Sequence, residues 1–152
     1  MKATLILFGA IAVCGIASAQ CPEFRLVDLQ ALQRSDADQK ENNILQLGYD
    51  LRSEFTSKGS TVKSYTKCWN SNFRQQPVFE QLIWWNQTVN SVTFFTLNEE
   101  HFKALRASII ERHSNGNMTE NPDFYIGRMF QYRFGAQRVD GIEYFFVSIT
   151  QR

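Results

Sequence analysis

Histidine is scarce in this 152-residue chain: there are two, His101 and His113, twelve positions apart. That is not the i, i+4 spacing that sets two imidazoles on one metal from a helix face. No metal site is expected, and both are read as surface residues beside acidic neighbours. Also missing are a Gly-rich phosphate loop, a Gly-x-Ser-x-Gly elbow and a Cys-x-x-Cys pair. Glu99 and Glu100 are adjacent and so point different ways on a helix, where both suit the N-terminus electrostatically. The expectation is therefore a protein with no catalytic residues, no metal and no cofactor. Charge of one sign is lacking too. Of 16 Lys plus Arg one is Lys2, and without it 15 basic residues face 15 acidic ones. That balance argues against nucleic acid or an anionic membrane as partner, since both need a basic patch.

No apolar run reaches the roughly 20 residues of a membrane span. The one hydrophobic stretch, Leu5 to Ile16, follows Lys2 and precedes Ala17-Ser18-Ala19. Basic, apolar and small-residue regions in that order are a secretory signal over residues 1–19. The remaining 133 residues suit one exported domain, with no membrane insertion after signal removal. Of the three cysteines Cys14 lies in the signal, so Cys21 and Cys68 are expected to form a disulfide in an oxidising compartment. Two sequons, Asn86-Gln-Thr88 and Asn117-Met-Thr119, fall where turns are expected and are candidate N-glycosylation sites.

Along the chain, Leu26, Leu29 and Leu32 predict a short helix ending in the polar run 34–43. Ser35 with Asp38 reads as a capping box. Ile44, Leu47, Leu51 and Phe55 then repeat at helical spacing up to Gly59, which predicts a helix over 36–57. The period changes at Ser60 to Trp69, rich in Thr, Val and Tyr, which reads as a strand before a polar loop at 70–76. Val78 to Trp85 and Thr88 to Thr96 read as a hairpin about Asn86-Gln87, with Trp84 and Trp85 on opposite faces. Thr96 with Glu99 is read as a second capping box, opening a helix over 97–113 with Phe102, Leu105 and Ile109 along one stripe. Lys103, Arg106, Glu111 and Arg112 form its solvated face. A loop over 115–123 and two long strands complete the order α, α, β, β, β, α, β, β, an α+β fold with an antiparallel sheet packed on helices. Helix 36–57 plus two strands resembles helix 97–113 plus two strands in layout, without a shared residue motif.

The two last strands carry the sharpest local signal. Phe124, Ile126, Phe130, Tyr132 and Phe134 alternate with Tyr125, Gly127, Met129, Gln131 and Arg133. After the turn, Ile142, Tyr144 and Phe146 alternate with Phe145, Val147 and Ile149. Asp140-Gly141 between them supplies the positive φ angles of a tight reversal. The order Gln137-x-Val139-x-Gly141, followed by an apolar residue and Tyr144-Phe145, resembles the first binding hairpin of the cystatins, inhibitors of papain-like cysteine proteases. The resemblance covers residues 97–150 and implies a cystatin-like core there. It also implies that Gln137, Val139 and Gly141 contact the protease, with the backbone filling the substrate groove and offering no peptide bond in attack geometry. The chain departs from the family pattern in three respects. No Pro-Trp hairpin follows the last strand, no flexible Gly segment precedes the helix, and Asp140 puts a charge in the loop.

The expected function is that of a secreted, non-catalytic protein with a cystatin-like core, acting on a papain-like protease or diverged from one that did. The alternative is an extracellular matrix or interaction glycoprotein that inhibits nothing. The aromatic content, 13 Phe, 5 Tyr and 3 Trp, also fits a carrier of a small apolar ligand, although core packing accounts for most of it.

Overall fold

The computed structural model describes residues 21–71, 77–112, 117–118 and 121–152. The expected signal at 1–19, most of the loop at 70–76, and His113 lie outside the described residues. The elements are α1 (Leu26–Arg34), α2 (Ala37–Gln46), β1 (Asp50–Ser57), β2 (Ser60–Asn70), β3 (Val78–Asn86), β4 (Ser91–Thr96), α3 (Glu99–Arg112), β5 (Asn117–Met118), β6 (Phe124–Ile126), β7 (Phe130–Val139) and β8 (Ile142–Gln151). All strands join one antiparallel sheet in the order β1-β2-β3-β4-β8-β7-β6-β5. The fold is α+β, an arrangement compatible with a cystatin-like one.

The predicted helix over 36–57 is half helix and half strand. Asp36, not Ser35, caps α2: its Oδ1 accepts the Gln39 amide at 2.9 Å. Ser35 instead closes α1, donating from Oγ to the Ala31 carbonyl. The helix stops at Leu47 because Gly48 takes φ +82°. Gly48 N–H then donates to the Leu45 carbonyl and Tyr49 N–H to that of Ile44, the pair of bonds that defines a Schellman terminus. Leu51 and Phe55, spaced as a helix would space them, lie on β1 instead.

The expected strand before the last hairpin is likewise two strands. Gly127 N–H bonds the Phe130 carbonyl, the chain reverses, and β6 pairs with β7. The reversal explains why Tyr125, expected opposite Phe130, Tyr132 and Phe134, is buried with them in one core. The cap of α3 is Asn98, not Thr96: Asn98 Oδ1 accepts the His101 amide at 3.0 Å, and Thr96 Oγ1 accepts the Asn98 amide. The first half of the chain thus runs two helices and four strands and the second one helix and four strands, and the halves meet where β4 pairs with β8 at the middle of the sheet.

The helices cover one face. Leu26, Leu29 and Leu32 of α1, Ile44 of α2, and Leu105 and Ile109 of α3 pack on Tyr65, Ile83, Trp85, Phe94, Tyr132, Val147 and Ile149. His101, expected at the surface, belongs to this core. It follows the stripe of Leu105 one turn earlier, donates from Nε2 to the Phe24 carbonyl at 2.7 Å and lies 5.4 Å from the Phe94 ring. The opposite face has its own smaller cluster, with Leu82, Phe95, Val139 and Tyr144 buried and Phe79, Trp84, Ile142 and Phe146 around them. The two adjacent tryptophans therefore serve opposite faces, as strand alternation predicts.

Candidate functional site

The β7–β8 hairpin runs past the sheet. Thr96, the last residue of β4, pairs with Phe145, so the arm from Val139 to Tyr144 has no β4 partner and is free to curl. Its turn is built as the sequence requires: Asp140 at φ 51° and Gly141 at φ +82°, both positive as a two-residue type I′ reversal demands. A Cβ at Gly141 would meet nothing within 4 Å, so the tip is open.

Three contacts brace this arm. Val139 and Tyr144 pack against Leu82 and Phe95 of β3 and β4. Tyr144 also donates its hydroxyl to the Phe79 carbonyl at 2.7 Å. Arg52 Nη2 lies 2.8 Å from Asp140 Oδ2. Arg52 is on β1, at the sheet's edge, at a break in register: Leu51 pairs with Tyr65 and Ser53 with Ser64, leaving Arg52 as the extra residue of a β-bulge. A bulge bends its strand and re-aims a side chain, and here it directs the guanidinium at the hairpin tip and within 5.9 Å of the Phe79 ring. Burial pushes the Tyr144 hydroxyl up to about 12, with Asp140 adding to the rise and Arg52 opposing it. The phenol thus stays protonated and keeps its donor role through the neutral range.

Of the three residues carried over from the cystatin pattern, Gln137 is exposed on β7 opposite Tyr144, Gly141 is exposed at the tip, and Val139 is buried beneath the arm. Phe79 and Arg52, which belong to the same corner, were missed in sequence. The bulge that brings Arg52 there has no local residue signature. Cys21 and Cys68 form a disulfide, with Cα atoms 5.7 Å apart. Asn86 ends β3 at a turn where its Oδ1 accepts the amides of Thr88 and Val89. The β4 residue that follows this turn, Ser91, pairs with Thr150 near the end of β8, so Asn86 lies at the end of the sheet away from the arm. Asn117 is on β5, and Thr119 of its sequon lies outside the described residues.

Among the described residues no three His, Cys, Asp or Glu side chains group as metal ligands, and no helix is long and apolar enough to cross a membrane. No family model, curated protein or solved structure matches this chain.

Proposed function

We propose that this chain is an exported, non-catalytic binding protein that presents the β7–β8 arm to a protein partner, a papain-like cysteine protease being the partner class. The observation that carries the reading is an exposed two-residue tip, Asp140-Gly141, on an arm braced by Arg52, Phe79 and the Leu82–Phe95 cluster. A loop already held in one conformation loses little entropy on docking, so more of its contact energy appears as affinity. The order Gln137-x-Val139-x-Gly141 supplies the partner class, by its resemblance to the cystatin hairpin. Val139 seats the arm, so of the three carried-over residues Gln137 and Gly141 remain for contact, with the exposed Asp140 beside Gly141 at the tip.

Inhibition of this kind needs no catalytic group: the tip fills the substrate groove and no scissile peptide lies in line with the nucleophile. The pattern of residues 1–19 and the Cys21–Cys68 disulfide support export. A glycan on Asn86 would sit at the far end of the sheet and leave the arm clear. The test is titration of papain and a cathepsin with the secreted protein beside Gly141→Arg, which sets a bulky cation at the tip. Dose-dependent inhibition that the variant loses is the expected result. No inhibition by either form overturns the protease reading and favours an extracellular interaction protein without a protease target.

A further inference from the structure

Trp69 is the most exposed of the large hydrophobic side chains among the described residues, at 58%. It is not a stray surface residue. Its indole meets the Phe79 ring edge-on with centroids 4.7 Å apart, and Phe79 in turn lies under the Arg52 guanidinium that holds Asp140. Tyr144 ties the same Phe79 to the arm through its carbonyl. Trp69, Phe79, Arg52 and Asp140 are thus a continuous chain of contacts from the end of β2 to the hairpin tip. They come from β2, β3, β1 and the β7–β8 turn.

The backbone before Trp69 is also unusual. Cys68 sits at φ 58° inside a strand, a conformation that residues other than Gly, Asn and Asp rarely hold. Cys68 is the residue bonded to Cys21. A strained, cross-linked position directly before an exposed indole fixes where that indole stands. Strain of this kind gathers at functional sites where surrounding structure over-determines it.

We infer that Trp69 is a second anchor of the partner-binding surface, entering an apolar pocket on the same protein partner whose groove takes the Asp140-Gly141 tip. This rests on the function proposed above and enlarges its interface. A lone hairpin falls short of the roughly 800 Å² per partner of a standard interface. A Trp side chain carries on the order of 150–250 Å², and Trp and Arg are the residues most enriched among binding hot spots. Arg52 and Asp140 neutralise each other, so the corner offers an apolar aromatic beside a charge-balanced tip. The pocket that complements it is apolar and not acidic.

The experiment titrates papain with the secreted protein and with Trp69→Ala, Trp69→Phe and Gly141→Arg, after thermal melts of each. Because Trp69 is largely exposed, the two Trp69 variants are expected to melt with the native protein. Trp69→Ala is expected to weaken inhibition at least tenfold, and Trp69→Phe to recover part of the loss by restoring an aromatic ring. If native inhibition is seen and Trp69→Ala inhibits equally well, the second anchor is wrong while the hairpin reading stands. If Trp69→Ala melts early, Trp69→Phe decides: full inhibition by a natively folded Phe variant also overturns the need for the indole. Absence of inhibition by the native protein overturns both readings together.

Discussion

The Arg52 guanidinium on β1 and the Asp140 carboxylate at the β7–β8 turn stand 2.8 Å apart, although β2, β3, β4 and β8 separate β1 from β7 in the sheet. Two features bring them together, the bulge that turns Arg52 out of the strand's alternation and the overhang that lets the arm curl.

The side chains of this pair are 43% and 65% exposed, so water and salt screen it. Arg52→Ala is expected to lower global stability by less than about 1 kcal/mol. Its effect on the arm is expected to be larger, because the tip loses its ion pair to β1. Amide hydrogen exchange at Gly141 and Ile142 should rise in Arg52→Ala, and in Asp140→Asn, which keeps a residue tolerant of positive φ. Unchanged exchange in both variants would show that Val139 and Tyr144 hold the arm unaided.

Gly135 pairs with Phe146 across β7 and β8, and the ring lies over it. A Cβ at Gly135 would stand 2.9 Å from Phe146 Cε1 and 3.1 Å from Cζ. Gly135→Val is therefore expected to displace the ring from Phe95 and cost about 1–3 kcal/mol, despite the better strand propensity of valine. Gly135→Val in a Phe146→Ala background should cost much less than the two changes added. Strict additivity in that double-mutant cycle would mean that the ring yields freely and does not pack on Phe95.

Local pattern carried much of the fold. The stripes Leu26, Leu29, Leu32 and Phe102, Leu105, Ile109 gave two helices, and the alternation about Asp140-Gly141 gave the last hairpin, because each signal lies within a few residues. What misled was a pattern two structures satisfy equally. Leu47, Leu51 and Phe55 fit a helix stripe, while Leu51 and Phe55 also fit a half-exposed edge strand, and Gly48 was the punctuation that decided between them. His101 was read by its acidic neighbours, whereas its burial depends on Phe24, 77 positions away. The corner joining Arg52, Phe79 and Asp140 arises from the bulge at Arg52 and the overhang of the arm. Neither follows from residue spacing, so only the Gln137-x-Val139-x-Gly141 part of the site was legible.

Tyr49, Tyr65 and Tyr144 all have hydroxyls pushed above the ordinary range, chiefly by burial, Tyr144 to about 12. In the unfolded chain these phenols ionise near pH 10. Above that pH the folded state binds more protons than the unfolded one, so stability falls as pH rises. The contribution is fully present below about pH 10 and, for Tyr144, is lost between about 10 and 12. Urea midpoints should fall through that window, and less steeply in Tyr144→Phe. That variant also loses the bond to the Phe79 carbonyl and is expected to cost about 1 kcal/mol at neutral pH. A Tyr144→Phe profile parallel to the native one would exclude Tyr144 from the alkaline transition.

Lys40 is the one fully buried lysine among the described residues. Its Nζ donates to Asn90 Oδ1 at 2.5 Å and stands 5.5 Å from the centre of the Trp85 ring. Burial lowers its pKa from the ordinary lysine value, with Asp36 opposing the shift. Between the lowered folded value and about 10.4, the ordinary lysine value, the unfolded chain binds the extra proton, so stability from this group rises with pH and is smallest in the acid range. Methionine matches the stem and lacks the amine, and Asn90 is exposed and can turn its amide to water. Lys40→Met is therefore expected to be neutral, or stabilising by about 1–2 kcal/mol at neutral pH. Lys40→Ala, which removes the stem as well, should destabilise by about 1–2 kcal/mol through the space it leaves. The stability gained by Lys40→Met should shrink as pH climbs toward 10.4. A loss of more than about 2 kcal/mol in Lys40→Met at every pH would show that the amine's bond to Asn90 and its contact with Trp85 outweigh the desolvation of its charge.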